Sequence, residues 1–343
     1  MIFVIFLGLK SSKTTISENI MPSRAKNREL KVFSGRSNQP LAKRIAKHLN
    51  KPLGKVTTKY FSDGEIWVKY EENIRGTDVF IVQSTNPPAD NLLELMIMCD
   101  AARRSSARRI TAVVPYFGYA RQDRKDQPRV AISAKLMANL LVQSGANRVL
   151  TLDLHAPQIQ GFFDIPFDHL YGARVFVDHI NKLDLKDLVI VSPDIGGVHL
   201  SRAYASRLNT EMAVLNKKRI EHNQCIVTEF IGNVQNKDVL IVDDLVDTAG
   251  TLINGVQVLK SKGANTIYVA STHAVLSGKA IERLKNCCIK KAFFTDSIFI
   301  PKEKKINKID ILSVSHLLSE AIVRIHEERS ISDLFMISKS PMH

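Results

Sequence analysis

VLIVDDLVDTAGT, Val239 to Thr251, is the stretch on which the fold turns. Four apolar residues, Val239 to Val242, run directly into two acids, Asp243 and Asp244. No polar residue alternates with them, which is the pattern of a strand buried on both faces of a parallel sheet. A turn follows with Asp247, Thr248, Ala249, Gly250 and Thr251, and a helical pattern opens at Thr251. Strand, turn and helix N-terminus together make an anion site, because free backbone N–H groups point outward and the helix dipole favours negative charge. Small residues let the backbone wrap a phosphate, and Thr248 and Thr251 offer hydroxyls. The two acids would repel that phosphate, so they belong where sugar hydroxyls or a metal ion would lie. A D-T-x-G-T turn alone is more often an ordinary strand–helix junction with Asp or Thr as N-cap. Paired acids immediately after a buried strand reverse that balance.

Working outward, the same alternation fills the chain. Short Val- and Ile-rich runs predict strands at Leu30–Phe33, Asp78–Gln83, Ile110–Val114, Val149–Asp153, Leu188–Val191, Met212–Leu215 and Thr266–Ala270. Helical patterns lie between them at Gln39–Leu49, Asn91–Arg104, Ser133–Ser144, Ser201–Leu208 and Thr251–Lys260. Strand–helix alternation over this length predicts an α/β fold with parallel sheets. One internal echo points to two related halves joined near residues 160–175. Gly145-Ala146-Asn147, leading into VLTLDLHA, resembles Gly263-Ala264-Asn265, leading into IYVASTHA.

The 343 residues suffice for about two domains. At 45% hydrophobic and 24% charged, the composition excludes disordered, collagen-like and coiled-coil chains. No apolar run is long enough to span a membrane. Four cysteines, two of them the adjacent Cys287 and Cys288, make neither a disulfide framework nor a C-x-x-C zinc site, which fits a reduced, cytoplasmic compartment. The net charge of +14 is concentrated. Residues 1–28 hold five Lys/Arg against one Glu, and residues 101–135 hold nine against two Asp. The basic stretches lack interleaved aromatics, so a small polyanion is expected rather than nucleic acid. Ile2–Leu9 is apolar but lacks the basic flank and cleavage site of a secretory signal, so Met21 is an alternative start.

The remaining motifs narrow the field: FSDGE at Phe61–Glu65, ENIRG at Glu72–Gly76, VVPYFGYARQDRK at Val113–Lys125, TLDLHAPQIQGFF at Thr151–Phe163 and SPDIGG at Ser192–Gly197. The turn after Asp243-Asp244 resembles the phosphoribosyl-diphosphate loop of the phosphoribosyltransferase fold. In combination and order, from about Glu29 to Phe335, the motifs resemble ribose-phosphate pyrophosphokinase, the phosphoribosyl-diphosphate synthetase of the common bacterial and animal class. The resemblance implies two phosphoribosyltransferase-like halves, each a parallel sheet flanked by helices: 29–168 and 169–335, between an extension (1–28) and a tail (336–343). It implies transfer of the diphosphate of MgATP to the 1-hydroxyl of ribose 5-phosphate, with Mg²⁺ as cofactor. Hexamers with sites shared between subunits, and phosphate and ADP as regulators, come with it; nucleic acid and membrane do not.

Residue by residue, the resemblance puts Arg121, Gln122 and Asp123 on ATP, with Phe61, Asp63, Gly64 and Glu65 closing on adenine from a neighbouring subunit. A carboxylate such as Asp63 or Glu65 can accept from an exocyclic amine, although S-D-G-E by itself is a plain turn. His155 and Asp194 fall at the metal. Oxygen suits Mg²⁺ better than imidazole, which favours Asp194 for direct contact. Asp243, Asp244, Asp247, Thr248, Ala249, Gly250 and Thr251 hold ribose 5-phosphate. Lys217 and Arg219, in a cationic loop NKKRI expected in front of the sheet, take the catalytic roles, since such transfer needs charge neutralisation in line. Ser330 and Ser332 match an allosteric segment. Three features depart from the family: Ala249 in a turn that usually reads D-T-G-G-T, Leu200 where Arg is usual, and a slightly shorter, less basic loop from Lys125 to Ser133. Ala249 and Leu200 raise the alternative of a non-catalytic regulatory paralogue.

Overall fold

The computed structural model describes residues 29–221 and 224–335, with the side chains of 217–228 and 335 outside that description. The expectations for the extension 1–28 and the tail 336–343 therefore lie outside the described residues.

The first half runs β1 (Leu30–Ser34), α1 (Gln39–His48), β2 (Val56–Tyr60), β3 (Ile66–Tyr70), β4 (Asp78–Val82), α2 (Asp90–Arg104), β5 (Arg109–Val114), α3 (Ser133–Gln143), β6 (Arg148–Leu152) and β7 (Phe167–Leu170). Its main sheet has the order β1-β4-β5-β6-β7, every pair parallel. All five residues of β4 are buried, which explains the unbroken apolar run. The Asn38 side chain caps α1 by accepting from the Leu41 N–H at 3.3 Å, with a proline in the first turn. β2 and β3 form a separate antiparallel hairpin.

The second half runs α4 (Ala173–Ile180), β8 (Val189–Ser192), α5 (Val198–Leu208), β9 (Glu211–Glu221), β10 (Gln224–Ile231), β11 (Val239–Val246), α6 (Gly250–Ser261), β12 (Ile267–Ala274), α7 (Ala280–Asn286), β13 (Lys291–Thr295), β14 (Ile309–Leu312), α8 (Ser315–His326) and α9 (Ser332–Phe335). Its sheet order is β10-β9-β8-β11-β12-β13-β14, parallel except for β10 on β9. Two apolar clusters sandwich this sheet, one around α6 and α7 and one around α4 and α5. The last helices return to the first half, where Leu317, Leu318, Ile322, Ile325 and Leu334 pack with Leu41, Ile45, Phe80 and Leu150.

Two expectations are corrected. NKKRI is not a loop: β9 continues through Glu221, with Lys217 opposite Val227 and Arg219 opposite Cys225. Pairing with β10 supplies the backbone partners that carry the strand past its apolar start. The sequence echo also joins strands that are not equivalent. By place in the parallel block, β12 answers to β5, whereas β6 answers to β13. The halves repeat, but one strand out of step with the echo.

Candidate active site

The halves meet at the ends of their strands through a buried polar seam. Asp153, just after β6, is 4% exposed; its Oδ2 accepts from Thr272 Oγ1 at 2.5 Å and from the Gly172 N–H at 2.8 Å. A Cβ on Gly172 would stand 2.8 Å from that oxygen, so only glycine fits there. His273 in β12 bridges the Asp153 carbonyl at 3.0 Å and Ser297 Oγ at 2.9 Å. The Ser84 hydroxyl donates to the Ser297 carbonyl at 2.5 Å, and Asn38 Nδ2 to that of Asp296 at 2.7 Å. Burial pushes the Asp153 carboxyl up to about 6, against the pull of its Thr272 and Gly172 donors.

Beside this seam opens a cleft of about 590 Å³. Arg121 and His155 line it from the first half, and Asp194, Asp243, Asp244 and the turn Asp247–Thr251 from the second. β11 delivers the acid pair, and α6 starts at Gly250 directly after the turn. Ala249 holds φ +60° and ψ 4° in the left-handed region. A Cβ there costs about 1–2 kcal/mol, so the departure from glycine strains the turn without changing its path. The N–H groups of Thr248, Ala249, Gly250 and Thr251 find no acceptor among the described residues, which leaves a concave row of donors at a helix N-terminus.

The electrostatics are those of a crowded anionic floor facing cations. Burial, together with the charges of Asp244 and Asp194, holds Asp243 well above the usual carboxylate range. Burial pushes Asp244 up most strongly, but its bond to His155 Nδ1 at 2.8 Å, the His155 charge and the Asp243 hydrogen bond together outweigh that and leave it lowered. The same bond raises His155 against its own desolvation. Asp247 is lowered overall: burial raises it, but the Ser277 hydroxyl and the Arg121 guanidinium, 2.6 Å from Oδ2, more than offset that. Two ion pairs thus cross the cleft, Arg121–Asp247 and His155–Asp244.

Of the remaining expected residues, Asp194 lines the cleft and its Oδ1 accepts the Gly197 N–H at 2.9 Å. Gln122 and Asp123 point elsewhere: Gln122 Oε1 accepts from Ser133 Oγ, and Asp123 Oδ2 from Gln158 Nε2, each at 2.6 Å. They tie the Arg121 loop to its surroundings. Phe61, Asp63, Gly64 and Glu65 cap the β2–β3 hairpin and do not line the cleft of their own chain; Phe61 is 49% exposed. Ser330 and Ser332 bond to each other at 3.0 Å at the start of α9, away from the cleft lining. Leu200 leans on the α4–α5 cluster, and Arg202 is exposed. The side chains of Lys217 and Arg219 lie outside the described residues. Sequence reasoning missed Asp153 and His273 as a seam pair, and Ser277 and Arg283 beside the turn. The Leu-Ser-Gly before α7 was the available signal for the last two.

Among the described residues no three His, Cys, Asp or Glu side chains are grouped to cage a metal. Asp194, Asp243 and Asp244 nevertheless concentrate carboxylate oxygens on one floor, a donor set that fits a hard divalent ion arriving on substrate phosphates.

Two parallel-sheet halves, an acid pair at a strand end and an open turn of N–H donors define a phosphoribosyltransferase-like enzyme built from a repeated unit. The chain belongs to the ribose-phosphate pyrophosphokinase family. Residues 30–145 match the family model for the N-terminal domain of ribose phosphate pyrophosphokinase, and 224–336 that for the phosphoribosyl synthetase-associated domain. The chain is 56% identical to the ribose-phosphate pyrophosphokinase of Chlorobaculum tepidum over 307 residues, covering 89% of this chain and 95% of that one. It is 52% identical to that of Corynebacterium ammoniagenes over 310 residues, 90% of this chain and 98% of the other. The crystal structure of phosphoribosylpyrophosphate synthetase from Mycobacterium smegmatis superposes with a TM-score of 0.83 at 36% identity, covering 88% of this chain and all of that one.

Proposed function

We propose that the chain transfers the β,γ-diphosphate of MgATP to the 1-hydroxyl of ribose 5-phosphate, giving AMP and 5-phosphoribosyl 1-diphosphate. The observation that carries this is the single cleft in which the acid pair and donor turn of one half face Arg121 and His155 of the other. The turn Asp247–Thr251 cradles the 5-phosphate on its N–H groups, and Asp243 and Asp244 take the ribose hydroxyls. Arg121 leaves Asp247 to neutralise the nucleotide's phosphates. Lys217 and Arg219, on the strand beside the cleft, are assigned to the charge that spreads over the transferring group. Asp194 and the acid pair would hold Mg²⁺, with His155 orienting Asp244; the ion supplies charge neutralisation to the diphosphate.

The FSDGE hairpin tip is proposed to serve a neighbouring copy, in a hexamer, where Asp63 and Glu65 meet adenine. Gln122 and Asp123 are proposed to place Arg121 against ATP, and Ser330 and Ser332 to belong to a site for phosphate or ADP. Halves divided at about residue 169, a cytoplasmic location and no nucleic-acid or membrane partner belong to the same reading. No observation favours a non-catalytic paralogue: Ala249 keeps the turn open and Leu200 packs on the core. The test is AMP release from MgATP and ribose 5-phosphate, with and without inorganic phosphate. AMP formation dependent on the sugar phosphate is expected; none under any phosphate concentration would refute the activity.

A further inference from the structure

The donor turn does not hold its own shape. Its carbonyls are bonded from behind by the segment that follows β12. The Leu276 N–H donates to the Val246 carbonyl at 3.0 Å and the Ser277 N–H to that of Asp247 at 3.0 Å. The guanidinium of Arg283, on α7, donates from Nη1 to the Thr248 carbonyl at 2.7 Å. The Ser277 hydroxyl holds Asp247 Oδ1 while Arg121 holds Oδ2.

In a trans peptide the C=O of one residue and the N–H of the next point in opposite directions. Three consecutive carbonyls fixed to the rear therefore turn the N–H groups of Asp247, Thr248 and Ala249 forward, to the side where the cleft lies. We infer that Ser277 and Arg283 are positioning residues for sugar-phosphate binding, holding the turn in its donor-forward form before the ligand arrives. This deepens the proposed function and rests on its assignment of the turn to the 5-phosphate.

A second observation supports a built device. Leu276, buried at 1% exposure, sits at φ +49°, a conformation a branched side chain adopts only when its surroundings impose it. Lys304 Nζ fixes the Leu276 carbonyl at 2.9 Å, so the strained residue is tied on both sides. Gly250 completes the fit, since a Cβ there would come 3.3 Å from Arg283 Nη1. Arg283 does not line the cleft, so its influence on the ligand runs through the Thr248 peptide.

The test is steady-state kinetics of the full chain with Arg283→Met, Arg283→Lys and Ser277→Ala. Loss of the guanidinium bond is expected to raise the KM for ribose 5-phosphate about tenfold while leaving the KM for ATP within twofold. Arg283→Lys, which keeps a cationic donor, is expected to recover most of that loss, and Ser277→Ala to give a smaller rise of the same kind. A sugar-phosphate KM unchanged in Arg283→Met, or equal losses for both substrates that Lys does not recover, would overturn the inference. If Arg283→Met fails to fold, Ser277→Ala decides on the same two constants. Wild-type protein that does not use ribose 5-phosphate would refute the proposed function instead.

Discussion

Replacing Asp153 with Asn removes the one buried carboxylate of the seam whose proton affinity is displaced to about 6, against 3.8 for an unburied aspartate. In the wild type, between those two values, the folded state holds a proton that the unfolded chain has released, so stability falls as pH rises across that window. A raised carboxyl gives its full contribution below pH 3.8 and loses it as pH passes through about 6. A displacement of this size corresponds to about 3 kcal/mol in total, at 1.36 kcal/mol per unit. Of that, about 1 kcal/mol is lost between pH 5 and pH 7, since much of the unfolded-state ionisation is complete by pH 5. His169 works in the opposite sense, because burial holds its imidazole down at about 4 while its ring accepts the Leu154 N–H at 2.9 Å. The wild-type profile alone therefore mixes opposing titrations, and the variant is needed to isolate that of Asp153. The Asp153→Asn side chain keeps an amide oxygen for the Thr272 and Gly172 donors. Urea unfolding at fixed protein concentration, at pH 5, 6 and 7, should show the Asp153→Asn variant gaining about 1 kcal/mol on the wild type from the lowest to the highest pH. A pH-independent difference between the two proteins would refute the assignment of a protonated Asp153 to the seam.

Three further outcomes are expected. Lys217→Ala should lower kcat by about a hundredfold or more, the scale of losing about 3–4 kcal/mol of transition-state charge stabilisation, with little change in the KM for ATP; unchanged turnover would remove Lys217 from catalysis. Asp243→Asn should raise the KM for ribose 5-phosphate more than that for ATP, and an unaltered sugar KM would contradict its place on the ribose. Arg121→Ala should raise the KM for ATP, yet shift the unfolding free energy by less than about 1 kcal/mol, because Arg121 is half exposed and such a pair is screened; a large stability loss with normal ATP kinetics would make it structural only.

The alternating Val- and Ile-rich runs made the core strands and the parallel α/β class legible, because buried parallel strands write themselves as unbroken apolar segments. The acid pair and turn at Asp243–Thr251 were legible for the same reason: polarity changes abruptly where β11 leaves the core. What escaped depends on long-range partners. β12 reads as ending at Ala270, yet it continues through Ser271, Thr272 and His273, all at most 2% exposed, because the opposite half supplies hydrogen bonds for Thr272 and His273. The β2–β3 hairpin was hidden by its Thr and Lys content, which suits a half-exposed ribbon rather than a core strand. Helix α8 shows an amphipathic period, but period cannot say that its apolar face belongs to the first half. The cationic run Lys217–Arg219 looked like a loop because charge marks solvent, and only the register with β10 reveals a strand.

The central claim is diphosphoryl transfer in the cleft between the halves, and the products report on it directly. Phosphorus NMR of the purified protein with MgATP and ribose 5-phosphate should show AMP and 5-phosphoribosyl 1-diphosphate appearing in equal amounts. ADP with a ribose bisphosphate, or no sugar-dependent change at all, would contradict the account.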